Sequence, residues 1–286
     1  MTPNSERVAA AFKWACLAEL EAPKPGNVHV FAGGHGMTAD TFVRSAEAAA
    51  APLSLAGARV GARILGAVDA TRAAVGTNSN LGIILLCAPL AAAAGRASPD
   101  LRGALHEVLD DLDVQDASLA FAAIAKAAPA GLGRSARHDV HEAATVGLLQ
   151  AMTEGAERDR IARQYTTCFA DVFELGLPAL EAALARQAEL NWATVMVYLS
   201  FLAAFPDSHI VRKFGADNAG EVRRIASAIL ASAQEKRPAQ RLAELLAWDA
   251  ALKAKGINPG TSADLTVATL FVHRLRTTLP SARNND

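Results

Sequence analysis

Apolar residues recur every three to four positions through most of this chain, a period that predicts helices rather than strands. Val8, Phe12, Ala15, Leu17 and Leu20 share one face of a first segment, with Ser5 as its N-cap. Thr38 caps a second segment carrying Phe42, Val43, Ala46, Ala49 and Ala50, with Pro52 near its end, and a third helix is expected over residues 55–74. An apolar run follows over residues 81–94. Ser98 as a cap and Pro99 at the first helical position then open a segment with Leu101, Leu105, Val108, Leu109 and Leu112 on one face. Asp113 starts a further helix that ends near Pro129. The pattern continues as helices over residues 157–175, 177–188 and 191–204, the last apolar almost all round and therefore central. Two more, over 219–235 and 239–255, precede a final helix holding Val267, Leu270, Phe271, His273 and Leu275.

Composition sharpens this picture. Hydrophobic residues make up 51% of the 286 positions and aromatics only 5%, with alanine very frequent, which favours closely packed helices over a sheet. The expected fold class is all-α, a single compact bundle-like domain over residues 1–286. The linker-like stretch PAGLGRSAR at 129–137 marks where two tightly packed halves would divide. A net charge of -1 gives no whole-chain electrostatic case for nucleic acid or an anionic membrane. The apolar runs at 81–94 and 192–205 are shorter than the ~20 residues a membrane span needs. Cys16, Cys87 and Cys168 are too far apart for a C-x-x-C pair and suggest no disulfide framework, so a reducing cytoplasm is expected, and MTPNSERVAA lacks the apolar core of a secretory signal.

Candidate chemistry concentrates in four segments. EAPKPGNVHVFAGGHGMTAD, residues 21–40, departs most from its surroundings: Pro23 and Pro25 restrict the backbone around Lys24, while Gly26, Gly33, Gly34 and Gly36 permit unusual turns. A lysine so restrained is pre-organised for an anion such as phosphate, although turn chemistry alone also accounts for the prolines and glycines. GTNSNLG, residues 76–82, offers Asn78, Ser79 and Asn80 as helix caps, and a helix start is equally a phosphate site. FPDSHIVRKFG, residues 205–215, crowds Arg212 and Lys213 at what reads as a helix exit, where they suit either the helix dipole or phosphate oxygens. GINPGTSADL, residues 256–265, places Thr261 and Asp264 at the spacing of a capping box, and a carboxylate there could also hold magnesium bridging phosphates. Two further clusters carry weaker metal readings. Asp110, Asp111, Asp113 and Asp116 read first as a solvated helix junction. His138 and His141 would share a helix face at i and i+3, next to Asp139, and the His-Asp doublet weakly resembles metal-dependent phosphohydrolases of the HD superfamily.

PKPGNVHVFAGGH, GTNSNLG, PDSHIVRKFG and NPGTSADLTVATLF, in this order and spacing, resemble the triphosphoribosyl-dephospho-CoA synthase family over residues 10–278. The resemblance implies an all-helical enzyme that transfers the 5-triphosphoribosyl part of ATP to dephospho-CoA and releases adenine. Lys24 and Gly26 match the family's Pro-Lys-Pro-Gly element, and His35 matches the histidine of its Gly-Ala-His. Asn78 and Gly82 match its Asn-Thr-His-Lys-Gly element, and Gly260 with Asp264 its Pro-Gly-x-x-Ala-Asp element. The expected nucleotide site thus comprises Lys24, Gly26, Asn27, Asn78, Asn80, Gly82, Arg212, Lys213, Gly260 and Thr261. His35 would orient or deprotonate the acceptor, and Asp264 would bind Mg2+ or act as a base. Departures accompany the match. Asn80 and Leu81 stand where the family has His and Lys, Gly36 to Asp40 replace an Arg-Asp-Met-Asp run, and Val211 to Gly215 replace His-Arg-Gly-Gly. The variant pattern is similar to a branch found beside genes of one-carbon cofactor biosynthesis, which implies tetrahydromethanopterin or methanofuran synthesis as an alternative role. A non-catalytic helical ligand-binding subunit is the alternative of a different class, favoured by the changes at Asn80 and Leu81. The partners implied are ATP and a small acceptor, neither nucleic acid nor membrane, with a homodimer left open.

Overall fold

Helices dominate because long alanine- and leucine-rich stretches alternate with short turns, and no β-branched run is long enough to compete. The computed structural model describes residues 2–96, 98–127, 139–233 and 238–278. In chain order come α1 (Pro3–Glu21), α2 (Ala39–Leu53), α3 (Val60–Val75), α4 (Leu81–Gly95), α5 (Leu101–Asp110) and α6 (Val114–Ala127). α7 (Leu148–Gly155) and α8 (Arg160–Thr166) lead into a π-helical segment, Asp171–Gly176, and then α9 (Leu177–Ala185). α10 (Leu190–Ala204), α11 (Ser208–Ser232), α12 (Pro238–Ala254) and α13 (Gly260–Thr278) follow. Among the described residues there is no strand, only isolated bridges at His29 with Ala32 and Gly34 with Met37. None of these helices is by itself long and apolar enough to cross a membrane.

The core gathers around α4 and α13. Nearly every side chain of α4 is buried, and in α13 Leu265, Val267, Leu270, Phe271, Val272 and Leu275 are all enclosed. α13 packs on α1, α4 and α10, so the first and last described helices are neighbours, while α3 lies between α2 and α6. Small residues set the spacing. A Cβ on Gly61 would lie 2.6 Å from the Asp116 backbone, and one on Gly176 would lie 2.3 Å from Thr269 Oγ1. A second cluster joins α10, α11 and α12 through Tyr198, Leu199, Ile210, Val222, Leu245 and Leu252.

Several boundaries differ from the expectations above, each for a local reason. α1 is capped by Thr2, whose Oγ1 accepts from the Ser5 N–H at 3.3 Å, so Ser5 sits buried inside the helix. The third helix begins at Val60 rather than 55, after a turn with Gly57 at φ +70°. Asp100, not Ser98, caps α5 by accepting from Gly103 N at 3.0 Å. The expected helix over 157–175 is broken: Cys168 and Phe169 take positive φ, and the Phe169 N–H reaches back to Gln164 O at 2.8 Å. Residues 205–215 begin a helix rather than end one, since Asp207 caps α11, which kinks at Gly215 (φ 85°, ψ 168°). Asp116 is not solvated. It is buried, accepts from Gly61 N at 2.8 Å and pairs with Arg59, so the acidic cluster ties α3 to α6. His138 and the stretch 129–137 lie outside the described residues. His141 lies in a turn, bonded through its N–H to Asp139, and not on a helical face.

Candidate active site

The loop between α1 and α2 is shaped from within. Lys24 is fully buried, and its ammonium donates to Glu19 O (2.8 Å) and Val28 O (2.9 Å) and pairs with Glu19 Oε1 at 3.1 Å. Three protons meet three internal partners, so the phosphate role expected of Lys24 is not met by this geometry. Burial pushes the Lys24 ammonium down and the Glu19 carboxyl up, each opposed by the other's charge. Gly26, at φ +83°, donates to Asp249 Oδ1 at 2.8 Å, and a Cβ there would lie 2.8 Å from Pro259. Its role is to let the loop lie against the turn before α13. Asn27 continues that join by donating to Asn258 Oδ1 at 2.8 Å. His35, itself at φ 55°, places Nε2 2.9 Å from Gly26 O. Because a carbonyl only accepts, Nε2 carries the proton.

Beside this loop opens a cavity of about 780 Å³. The first turns of α4, α11 and α13 all line it, through Leu81 and Gly82, His209 and Arg212, and Gly260, Thr261 and Asp264. Each such start turns a positive dipole end to the cavity, and side chains already bond several of its N–H groups, those of His209 and Ile210 by Asp207 and that of Leu81 by Asn78. Asn78 also lines the cavity and accepts from Leu81 N at 3.3 Å, providing the side-chain bond that Asn80, the backbone N-cap, does not make. Of the expected site residues, Asn27, His35, Asn78, Gly82, Arg212, Lys213, Gly260, Thr261 and Asp264 line the cavity, whereas Lys24, Gly26 and Asn80 lie behind its wall.

Asp207 fixes how two of these helix starts meet. Its Oδ1 accepts from His209 N and Ile210 N at 2.9 and 3.2 Å, and its Oδ2 accepts from Ser262 N and Oγ, both at 2.8 Å. One buried carboxylate therefore caps α11 and grips the first turn of α13. Asp207→Asn would set an NH2 group against the Ser262 N–H, and a stability loss of about 1–3 kcal/mol is expected in urea unfolding. An unchanged midpoint would mean that the clamp contributes nothing.

The electrostatics of the wall are uneven. Arg212 lies 3.3 Å from Asp159, which caps α8. Burial, reinforced by Glu19, Asp207 and Asp159 and opposed by Arg212, pushes the Asp264 carboxyl well up. A carboxyl so placed favours its protonated form. Burial, with Lys213, Arg212 and His35 adding to it, pushes His209 down to about 4. Among the described residues no three His, Cys, Asp or Glu side chains are grouped to hold a metal ion.

Sequence reasoning gave no role to Glu19, Asp159 or His209, which also line the cavity. Glu19 was hidden inside a regular helix. The Pro206-Asp207-Ser208 run was a legible start signal for α11 and would have pointed to His209 in its first turn.

A crystal structure from Archaeoglobus fulgidus, of a triphosphoribosyl-dephospho-CoA synthase candidate, superposes with a TM-score of 0.62 at 24% identity, covering 82% of this chain and 99% of the other. It supports the fold. The probable 2-(5''-triphosphoribosyl)-3'-dephosphocoenzyme-A synthase of Pectobacterium carotovorum is 33% identical over 105 residues, 37% of this chain and 33% of its own length. The corresponding synthase of Pectobacterium atrosepticum is 33% identical over 109 residues, 38% and 34% respectively. The matched region thus spans about a third of these relatives. The family model for ATP:dephospho-CoA triphosphoribosyl transferase matches residues 5–282, nearly the whole sequence. The chain belongs to the ATP:dephospho-CoA triphosphoribosyl transferase family.

Proposed function

We propose that this chain is a transferase that moves the 5-triphosphoribosyl group of ATP onto a hydroxyl of dephospho-CoA or a related acceptor, with release of adenine. The observation that carries the reading is the convergence of three helix starts with Arg212 and Lys213 on one cavity. Dipole ends and fixed cations together suit a triphosphate. The volume is within the ~300–1,000 Å³ usual for ligand sites. Phosphates would lie against Arg212, Lys213 and the positive helix ends at Asn78, Gly82, Gly260 and Thr261. In the reaction the C1'–N9 bond breaks with its electron pair going to adenine, the acceptor oxygen bonds C1', and the hydroxyl proton balances the proton adenine takes up. The ribosyl carbon passes through a cationic transition state, so positioning and a proton for the leaving base are the protein's tasks. Asp264, favouring its protonated form, supplies that proton in this reading, and His35 orients the acceptor.

Leu81 in the cavity wall, where the family resemblance has a lysine, favours a less polar acceptor than dephospho-CoA. An intermediate of tetrahydromethanopterin or methanofuran synthesis is the second reading. Titration calorimetry with ATP and magnesium, followed by chromatography for free adenine with dephospho-CoA, separates them. Binding with release is the expected result. Binding without release moves the reading to another acceptor or to a non-catalytic subunit, and absence of binding removes the nucleotide site altogether.

A further inference from the structure

The turn between α7 and α8 presents one arginine, Arg158, to the cavity, and the two residues that follow it are committed elsewhere. Asp159 caps α8 by accepting from Ile161 N at 2.8 Å, and its other oxygen lies 3.3 Å from Arg212. Arg160 is clamped. Its guanidinium meets Asp171 at 2.7 and 2.8 Å and lies over the Phe205 ring at 4.0 Å, and its backbone N–H donates to Ser208 Oγ at 2.9 Å. Arg158 itself donates its N–H to Gly155 O at 3.1 Å, and a Cβ on Gly155 would lie 3.3 Å from the Ala162 Cβ. The backbone under Arg158 is thus fixed against α7, α8 and α11. Its side chain is exposed and makes no hydrogen bond or ion pair with a described residue.

We propose that Arg158 is a phosphate-binding residue of this cavity, gripping phosphate oxygens from the α8 side while Lys213 meets them from α11. The proposal rests on the transferase reading, whose substrates are polyanions, and adds a residue from outside the four unusual segments. Lys213, like Arg158, is exposed, lines the cavity and makes no hydrogen bond or ion pair with a described residue. Asp159 is the chain neighbour of Arg158, and Arg212 is that of Lys213. The ion pair between Asp159 and Arg212 therefore brings the two outer cations onto one part of the wall.

The other charged groups of the wall single these two out. Arg212 is engaged by Asp159, and Arg72 donates to Lys126 O. Glu19 pairs with Lys24, Asp264 favours its neutral form, and Glu154 and Asp139 have interactions of their own. A polyphosphate therefore finds its unengaged cations at Arg158 and Lys213. Arginine suits the task, because its planar fork meets two phosphate oxygens at once and a fixed backbone lowers the ordering cost of binding. Being exposed, the guanidinium also waits in water without the penalty of a buried charge.

Titration calorimetry on the intact protein, with inorganic tripolyphosphate and dephospho-CoA as separate probes, tests the assignment and tells which substrate carries the phosphate. Arg158→Gln should weaken at least one of the two Kd values by about 10-fold or more. The difference should narrow in about 0.5 M NaCl, and Arg158→Lys should recover part of the loss. A change for tripolyphosphate alone assigns Arg158 to ATP, and a change for dephospho-CoA alone assigns it to the acceptor. The urea midpoint of Arg158→Gln should match wild type, because no internal partner is lost. Arg163→Gln is the control: Arg163 is exposed on α8, its side chain has no hydrogen bond or ion pair with a described residue, and it does not line the cavity, so both Kd values should stand. Unchanged Kd values in Arg158→Gln, or a weakening that comes with a lowered urea midpoint, overturn the role of Arg158 alone, and adenine release by the wild type then still upholds the transferase reading. A wild type that binds neither probe overturns both.

Discussion

Lys24→Ala is expected to destabilise the protein by about 3–5 kcal/mol, the usual cost of removing one partner from a buried ion pair. Lys24 and Glu19 are both buried, and the ammonium also satisfies Val28 O and Glu19 O. Truncation would leave a buried carboxylate and two carbonyls without their donor. Guanidinium unfolding should show the loss directly, and replacing both partners, by Glu19→Gln with Lys24→Met, should recover much of it, because the uncompensated charge is then gone. A phosphate-binding lysine predicts the opposite pattern, a weaker Kd for ATP with an unchanged unfolding midpoint. Observing that pattern would show that the ammonium leaves its internal partners when nucleotide binds.

Gly82→Ala should lower turnover on the order of 10²-fold, the scale of an ångström's displacement of a reacting group. The new Cβ would lie 2.0 Å from Asp264 Oδ2, 2.5 Å from its Cγ and 2.8 Å from Ile161 Cδ1, so the carboxyl must move. Gly82 lies within the first turn of α4, where alanine is the better helix former. The fold should therefore survive while the site does not. Gly95→Ala on the same helix is the control, since a Cβ there meets nothing within 4 Å and turnover should be unchanged. If Gly82→Ala turned over at the wild-type rate, the Asp264 carboxyl would have no part in the chemistry.

The helical class and the central place of α10 were legible in the sequence, because residues apolar all round a helix have nowhere to go but inside. The starts of helices were less so. Thr2, Asn4 and Ser5, and likewise Ser98 and Asp100, put several capping side chains within a few positions, and local chemistry cannot choose among them. Nothing local announces the break at Cys168 and Phe169, which packing holds in place: Phe169 is fully buried beside Tyr165, with ring centroids 6.0 Å apart. The four chemical segments were recognisable as unusual, and all four supply the cavity wall. Which side chains face inward was not recognisable. Lys24 turns away because Glu19, one turn back in the preceding helix, is its partner, and no spacing rule connects a helix residue to the loop beyond it. His209 turns inward because Gly260, 51 positions later by number, leaves room for its ring.

The loop after α1, shaped locally by Lys24 and Glu19, is anchored by the far end of the chain. Gly26 bonds Asp249, Asn27 bonds Asn258, and the Ala32 carbonyl accepts from Lys253 at 3.1 Å. During synthesis, which proceeds from the N-terminus, Gly26, Asn27 and Ala32 must therefore wait for more than two hundred further positions before they acquire these partners. Such long sequence separations slow folding, since loop closure is paid for before any contact rewards it. The half-made chain would hold an unformed pocket on the ribosome, and the cavity closes only in a molecule whose α13 has already emerged and docked.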